Sequence, residues 1–543
     1  MADAIGDKAD LQSIRRRAGL TSLLLFAVIA LLGVAMIAVL PPWEGFDETA
    51  HWSSIQQMAD TGHVPVYGVD RLSADRLSWF GPEPRGIDQR GRLYTDLHQA
   101  PPRDTRAGPT RYSPDGPLNW QSQHPPLFYA LMVPVYSAAH GLNWVGHLMV
   151  LRLACWAMAC GGLGLGALAT WRISGRESEG LLASPWLTPL SLMWPLLFAG
   201  YFADLARLGN DSLCLLIFGG VWLVLLPMLE AGEGRGQPIR AVALGLLLGA
   251  GLWTKAFFGP VSLGVGALLL ARVIQSRRPL QGLDLALAVG IGWAIGAGWY
   301  LMKWRTTGAL TGSDESVQLL RAGGMMHGLV QHFDAVGFAR GVGVMLETVG
   351  WTFTWSLARL SEIAMVGVVA LLVGVGIGYG ARLRESRSLI VWAPLAMIAL
   401  LLAGLLYHQL TRAAIDGTGS TPAWYLHVVA PALGLAMAIG WVRPRLFSAL
   451  ALFSLLYTAA SWVAELSMVS GCTPVDDSKH YAFARAACLV DGRVLGLVGH
   501  PLIGLLALVG ALAAAVWAAM ASRAAWPVRS DPSASTLTEL QPL

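Results

Sequence analysis

The chain has 543 residues, 55% of them hydrophobic and only 13% charged, with a net charge of +4. A soluble domain carries about 25% charged residues, so the composition excludes a soluble globular fold. No basic stripe interleaved with aromatics is present, which argues against a nucleic-acid-binding surface.

Taken in chain order, the apolar residues fall into runs of roughly 17–25, each long enough to cross a bilayer core of about 30 Å. The first, Leu20 to Leu40, follows Arg15-Arg16-Arg17 and ends in Val39-Leu40-Pro41-Pro42-Trp43, without a small-residue cleavage site. It reads as an uncleaved first helix rather than a signal peptide. Further spans are predicted at 147–171, 183–203, 212–229, 240–254, 256–273, 284–302, 362–381, 388–407, 424–441, 446–465 and 499–521. The predicted fold class is therefore an all-α polytopic membrane protein of about twelve transmembrane helices.

Every second loop is short and carries the basic residues: Arg172 and Arg176, Arg235 and Arg240, Arg277 and Arg278, Arg382, Arg384 and Arg387, Arg443 and Arg445, then Arg523 and Arg529. All of these fall on the side of the N-terminus. The positive-inside rule makes that side cytoplasmic and places both termini there, in an inner membrane. Residues 1–19 form a cytoplasmic N-terminus, 20–521 the membrane domain, and 522–543 a Ser-, Pro- and Thr-rich tail expected to be disordered. On the periplasmic side lie 41–146, 303–361, 408–423 and 466–498, with a short turn from Asp204 to Asp211. Loops held on a rigid scaffold are where function concentrates.

The five cysteines divide by topology. Cys155, Cys160 and Cys214 sit in predicted helices and behave as small apolar residues. Cys472 and Cys488 share the last outer loop, an oxidising compartment, and are expected to form a disulfide. No Cys/His spacing resembles a zinc site, and no phosphate-cradling Gly-rich loop follows a strand.

Just after the first helix comes Pro41-Pro42-Trp43-Glu44-Gly45-Phe46-Asp47-Glu48-Thr49-Ala50-His51. It sets two adjacent carboxylates and a histidine at the outer membrane face, where a carboxylate near hydrocarbon is costly unless partnered. If a helix starts at Glu48, Asp47 and His51 share one face. Desolvation raises the pKa of an Asp and suits it to act as a base near neutral pH. A plain N-cap is the alternative reading of Asp47, as it is for Asn210-Asp211. His51 reads as a packed loop histidine, a ligand or a proton shuttle. Trp43, Trp52, Trp79, Trp120 and Trp144 read as an interfacial aromatic belt.

At these residues the sequence resembles the GT-C superfamily of polyprenyl-phosphate-sugar-dependent glycosyltransferases, through the order Pro-Pro, then Phe-Asp-Glu-x-x-His. Four further segments are similar and occur in order: His124-Pro125-Pro126-Leu127-Phe128-Tyr129, Asn210-Asp211-Ser212, Trp253-Thr254-Lys255 and Gly298-Trp299-Tyr300-Leu301-Met302-Lys303-Trp304. The resemblance covers residues 20 to about 440. Two departures stand out. Relatives carry Gly-Arg-Tyr-Leu where this chain has Ala423-Trp424-Tyr425-Leu426, leaving Arg412 or His427 as substitutes for that arginine. Lys303 stands where an arginine is usual.

The resemblance implies a GT-C-like fold with juxtamembrane helices in its long periplasmic loops, and an inverting transfer. A sugar on a polyprenyl phosphate would pass to a hydroxyl of a cell-envelope glycan, lipid or protein, at the face of the surrounding membrane lipids. It assigns Asp47 as base, with Glu48 positioning it, and Asp211 as a second carboxylate at the mouth of the same cavity. His51, His124, Lys255, Lys303, Arg305, Arg412 and Tyr425 are expected to bind substrate, the cations holding the leaving phosphate. No cofactor is demanded. A divalent cation, Mg or Mn, would fall to Asp47 and Glu48, since hard cations take oxygen ligands. A lipid-linked glycan ligase or polymerase remains an alternative reading, with Arg321, Arg340 and Arg359 in the middle loop. A secondary transporter is another, though no repeated halves are visible.

Overall fold

Nine helices among the described residues are long and apolar enough to cross a membrane. The computed structural model describes residues 2–40, 42–43, 45–75, 108–174, 181–198, 200–230, 236–348, 362–417, 419, 421–441, 456 and 501–523. Apart from residue 456, the predicted span 446–465 lies outside them, as do the loop 466–498 with Cys472 and Cys488, Trp79, and the tail beyond Arg523.

The chain opens with α1 (Ala2–Val39), whose apolar part is Gln12–Ala38. Within the first outer segment come α2 (Glu48–Thr61), strand β1 (Arg71–Ser73), strand β2 (Pro114–Leu118), a 3-10 turn (Trp120–Gln123) and α3 (Leu127–Ala138). β1 and β2 pair antiparallel, with Arg71 opposite Leu118 and Ser73 opposite Pro114, a small departure from the all-α expectation. The next span, α4 (Trp144–Ile173), starts where the Asn143 side chain accepts from Gly146 N–H at 2.7 Å. That is an ordinary N-cap.

The span predicted at 183–203 is broken into α5 (Leu187–Ser191), α6 (Trp194–Leu197) and α7 (Gly200–Ala206), with an 86° bend between 187–197 and 200–206. Pro189 and Pro195 lack the N–H a continuous helix needs. After the turn at 207–210 come α8 (Asp211–Met228), α9 (Pro238–Leu252), α10 (Phe258–Ser276) and α11 (Pro279–Thr307). α9 is too short to count among the nine spans, and counting the bent pair raises them to ten. The expected twelve is therefore not reached among the described residues.

The middle outer segment holds α12 (Asp314–Arg321), α13 (Met325–His332) and α14 (Ala335–Glu347). Ser313 and Asp334 cap the first and last of these through side-chain oxygens. α15 (Glu362–Glu385) and α16 (Leu389–Asp416) follow. α16 runs nine residues beyond the predicted end at 407, so most of the expected loop 408–423 is helix. A 3-10 turn (Ala423–Val429) leads into α17 (Ala430–Gly440), and α18 (Pro501–Arg523) packs along α1.

Side-chain size sets the closest crossing. A Cβ on Gly162 would lie 2.3 Å from the Leu215 carbonyl oxygen, and one on Gly219 2.2 Å from that of Gly162. α4 and α8 therefore meet backbone to backbone, the mode that small residues allow in lipid. α4 and α8 start at the same end of the bundle as the last turn of α11 and the turn joining α9 to α10. Those four places carry the residues described next. At the other end, Asp284 on α11 accepts from Gln237 N–H at 2.8 Å and pairs with Arg272 on α10 at 3.4 Å.

Candidate active site

Asp47 is placed by its backbone before its side chain does anything. Its φ and ψ are 63° and 10°, in the left-handed region, where Asp is tolerated better than most residues. Its carbonyl accepts from Ala50 N–H at 3.0 Å and His51 N–H at 2.9 Å and so starts α2. Its side chain makes no cap bond. Instead Oδ1 accepts from the indole Nε1–H of Trp120 at 2.7 Å, on the 3-10 turn of the same outer segment. Of the two readings open for Asp47, the main chain fills the cap role and the carboxylate is turned elsewhere. The carboxyl is half-buried, makes no ion pair among the described residues, and is raised above its ordinary value by burial. The nearby Arg207 charge, the Trp120 hydrogen bond and the Lys255 charge oppose that rise.

Glu48 is a different kind of carboxylate. Oε1 accepts from Arg152 Nε at 2.8 Å and Leu208 N–H at 2.9 Å, and Oε2 from Arg152 Nη2 at 2.6 Å and Gly45 N–H at 3.2 Å. An ionised carboxylate has about four lone-pair positions, and all four are taken. Glu48 thus ties the start of α2 to α4 and to the turn before α8. As a cation ligand it does not fit, and among the described residues no group of three His, Cys, Asp or Glu is placed to hold a metal. Gly45 is needed here because a Cβ would come within 2.5 Å of the Glu48 side chain and 2.6 Å of Arg207 Cβ.

Arg207 is the hub. Its Nη1 donates to the Phe46 carbonyl at 2.8 Å, and Nη2 donates to Asp211 Oδ2 at 2.8 Å and Asp204 Oδ1 at 3.1 Å. Arg207 thus ties the backbone beside Asp47 to the Asp211 carboxylate, 164 positions after Asp47 in sequence. Asp211 Oδ1 accepts from Lys255 Nζ at 2.6 Å. Lys255 Nζ also lies over the rings of Phe257 (4.6 Å) and Tyr425 (4.7 Å), a cation–π arrangement. Asn210, next to Asp211, is buried with neither amide atom hydrogen-bonded among the described residues.

Lys303 is the cation left over. It is 5% exposed, lies 4.7 Å over the Trp299 ring and 3.5 Å from the Ser122 carbonyl, and has no carboxylate partner among the described residues. The adjoining chain is fixed from the middle segment: Tyr67 hydroxyl donates to Asp314, and Asp314 N–H donates to Gln123 at 2.9 Å. His124 is held down to about 3, by burial first and then by the Lys255 charge, so it is a neutral imidazole at neutral pH. His51 is buried, with Nδ1 3.1 Å from the Tyr129 hydroxyl, and burial and then Arg207 lower it well below its ordinary value. Its ring lies against Phe128 and Tyr129.

Two expected binding residues stand apart. Arg412 pairs with Asp416 at 2.9 Å along α16. Arg305 is exposed on the last turn of α11. His427 is buried, with its Nδ1 3.9 Å from Asp204 Oδ2, while Tyr425 joins the site beneath Lys255. The aromatic belt is not one: Trp43, Trp52 and Trp144 are buried against each other, with the Trp43 ring 5.5 Å from Trp52 and 5.7 Å from Trp144. Sequence reasoning passed over Arg207 and Arg152 and read Trp120 only as part of the aromatic belt. Arg207 sits three and four residues from Asp204 and Asp211, a spacing that forms ion pairs on one helical face. Arg152 is a lone charge inside an apolar span, which marks a function or a partner. Trp120 carried no such signal.

The geometry is that of a polytopic membrane protein with a carboxylate-and-cation site at one end of its bundle. No family model and no curated protein matches the sequence. Among solved structures, the chain is similar to ArnT from Cupriavidus metallidurans bound to undecaprenyl phosphate, at 13% identity and a TM-score of 0.46. That match covers 92% of this chain and 78% of ArnT. It is also similar to the oligosaccharyltransferase of Archaeoglobus fulgidus in its apo form (14% identity, TM-score 0.40, 86% of this chain and 56% of that one). The same archaeal enzyme, AglB, in complex with an inhibitory peptide and a dolichol-phosphate, matches at 13% identity and a TM-score of 0.38, over 86% and 56% of the two chains.

Proposed function

We propose that the chain is a membrane glycosyltransferase that moves a sugar from a polyprenyl phosphate to an acceptor hydroxyl, with inversion. The observation that carries the reading is Asp47. It is a half-buried carboxylate that makes no ion pair among the described residues, it follows Phe46, whose carbonyl shares Arg207 with the Asp211–Lys255 pair, and it lies in the same site as Lys303.

The chemistry asks for this division of labour. Asp47 takes the proton of the acceptor hydroxyl while the oxygen attacks the anomeric carbon, and the bonding pair departs with the phosphate. A phosphodiester with one negative charge becomes a monoester with two. Lys303, lacking a carboxylate of its own, is suited to meet the charge that develops, and a preorganised cation there stabilises the transition state more than the ground state. Lys255 is already paired with Asp211 and contributes less. Glu48 acts as a positioning residue. His124, being neutral, adds no charge and is free to donate or accept a hydrogen bond. No step is routed through a metal.

The excess of arginine at the other end of the bundle supports placing that end in the cytoplasm and the site on the periplasmic side of an inner membrane. The acceptor would be a cell-envelope glycan, lipid or protein.

Transfer of a labelled sugar from a synthetic polyprenyl-phosphate donor, in membranes containing the protein, tests the reading. Asp47→Asn keeps the shape but cannot accept a proton, and removal of a general base costs about 10²–10⁴-fold. A variant keeping more than about a tenth of the wild-type rate would remove Asp47 from the base role.

A further inference from the structure

We propose that Trp120 is the positioning residue of Asp47: its indole N–H holds one carboxylate oxygen and leaves the other directed at the acceptor. The inference rests on the glycosyltransferase reading for its purpose, though not for its test.

Asp47 Oδ1 has a single hydrogen-bond donor, Trp120 Nε1, at 2.7 Å, and Oδ2 has none among the described residues. A carboxylate bonded on both oxygens is a structural anchor, as Glu48 is. One bonded on a single oxygen is fixed in direction while keeping a lone pair to spend on an incoming proton. An indole suits the task because it donates and cannot accept. It never competes for the acceptor's proton, whereas a hydroxyl or an amide in its place could.

Trp120 is itself fixed from both sides. It opens a 3-10 turn whose N-cap, Asn119, accepts from Gln121 N–H at 3.0 Å. The Asn119 amide in turn donates to the Ala50 carbonyl (3.1 Å) and Ser54 hydroxyl (3.0 Å) of α2. Asp47 and Trp120, 73 positions apart, are thus carried by one rigid unit, in which α2 supplies the base and the turn clamped to it supplies the donor. The groups acting on Asp47 from the other elements are Arg207 and Asp211 at the turn before α8, and Lys255 between α9 and α10. Tyr129 on α3 and Tyr425 before α17 feel its charge in return. Of all these, only Trp120 hydrogen-bonds the carboxylate.

A hydrogen bond to the charged form favours that form, so losing it must move the Asp47 titration to higher pH. Trp120→Phe keeps the ring and removes the donor. The direct readout needs no sugar transfer: a hydrophobic carbodiimide labels protonated carboxyls, and peptide mass spectrometry follows labelling of Asp47 against pH in detergent-solubilised full-length protein. Trp120→Phe is expected to raise the midpoint by about one pH unit, a tenfold change in the protonation constant. In the transfer assay it should lower kcat about tenfold with KM nearly unchanged, and move the acid limb of the rate profile by the same amount.

A midpoint unchanged in Trp120→Phe overturns the proposal even if transfer falls. Should that variant not survive purification, Trp120→His, whose neutral ring keeps an N–H, carries the test. A midpoint near that of the wild type supports the proposal, and one shifted as far as loss of the donor requires rejects it. Absence of any transfer by the wild type would instead overturn the glycosyltransferase reading and leave the labelling result standing.

Discussion

Asp47 and Glu48 are neighbours in sequence and opposites in use. Glu48 has four donors on two oxygens and is completely buried, with Arg152 as its ion-pair partner. Among the described residues Asp47 has one donor and no ion-pair partner. Breaking a buried pair by neutralising one side leaves the other charge stranded, at a cost of about 3–5 kcal/mol. Glu48→Gln is therefore expected to lower the thermal stability of the purified protein by an amount of that order. Asp47→Asn should leave it within about 0.5 kcal/mol, the range of substitutions away from such features. Thermal unfolding in detergent reads both, and equal losses would mean that the two carboxylates had been given the wrong jobs. The pH sign for Asp47 follows from the same contrast. Burial raises its carboxyl, a base works deprotonated, and transfer should fail as pH drops through a value above the ordinary Asp range near 4.

Helices were legible from hydropathy wherever the chain crosses in one piece, and less so where local chemistry interrupts it. The span expected at 183–203 contains Pro189 and Pro195, whose missing N–H groups suit its division into short helices, and it turns by 86° beyond them, after the extended backbone of Phe198 (φ −130°, ψ 100°). Averaging over a window hides such positions. The opposite error placed Arg412 in a loop: α16 continues through His408, Gln409, Thr411 and Arg412 to Asp416 because polar residues end a hydropathy plot without ending a helix. The crossing of α4 and α8 rests on glycines whose partners a linear sequence does not name. Its closeness yields a specific expectation. Gly162→Val would push a branched side chain into the Leu215 carbonyl, 2.3 Å from where its Cβ must go, and Asp211 at the head of α8 would shift with it. Loss of folded protein on size-exclusion chromatography is expected for Gly162→Val, with Gly161→Val, where a Cβ would meet only the tip of Leu216 at 3.0 Å, far milder.

At the scale of the molecule, the ends of the helices decided what could be seen from sequence. Alternation of basic loops gave the side on which Asp47, Asp211, Lys255 and Lys303 fall, and all four meet at one end of the bundle. Which of them touch depends on which helices are neighbours, and a linear pattern does not encode that. Hence Arg207, which holds Asp211 and the Phe46 carbonyl beside Asp47, was readable only as a local spacing to Asp204 and Asp211. Cys472 and Cys488 lie outside the described residues, and the sequence pattern alone expects them in an outer segment, whereas the helical Cys155, Cys160 and Cys214 are free. Peptide mapping under non-reducing conditions is expected to find Cys472 linked to Cys488. Recovery of both as alkylated thiols would sink the disulfide and count against a periplasmic location for that segment.

The pairing of α1 with α18 has a consequence in time. α1 ends at Val39 and the helix that covers it begins at Pro501, so roughly 460 residues are synthesised in between. At about 5–20 residues per second, the first helix waits on the order of 20–90 s in the bilayer for its neighbour. Until then lipid, or the insertion machinery, must line the stripe of α1 that α18 later occupies. A ribosome stalled before Pro501 should leave that stripe open to a photo-crosslinker at Leu31, whose side chain lies 3.1 Å from where a Cβ on Gly510 would be. Release of the full-length chain should close it.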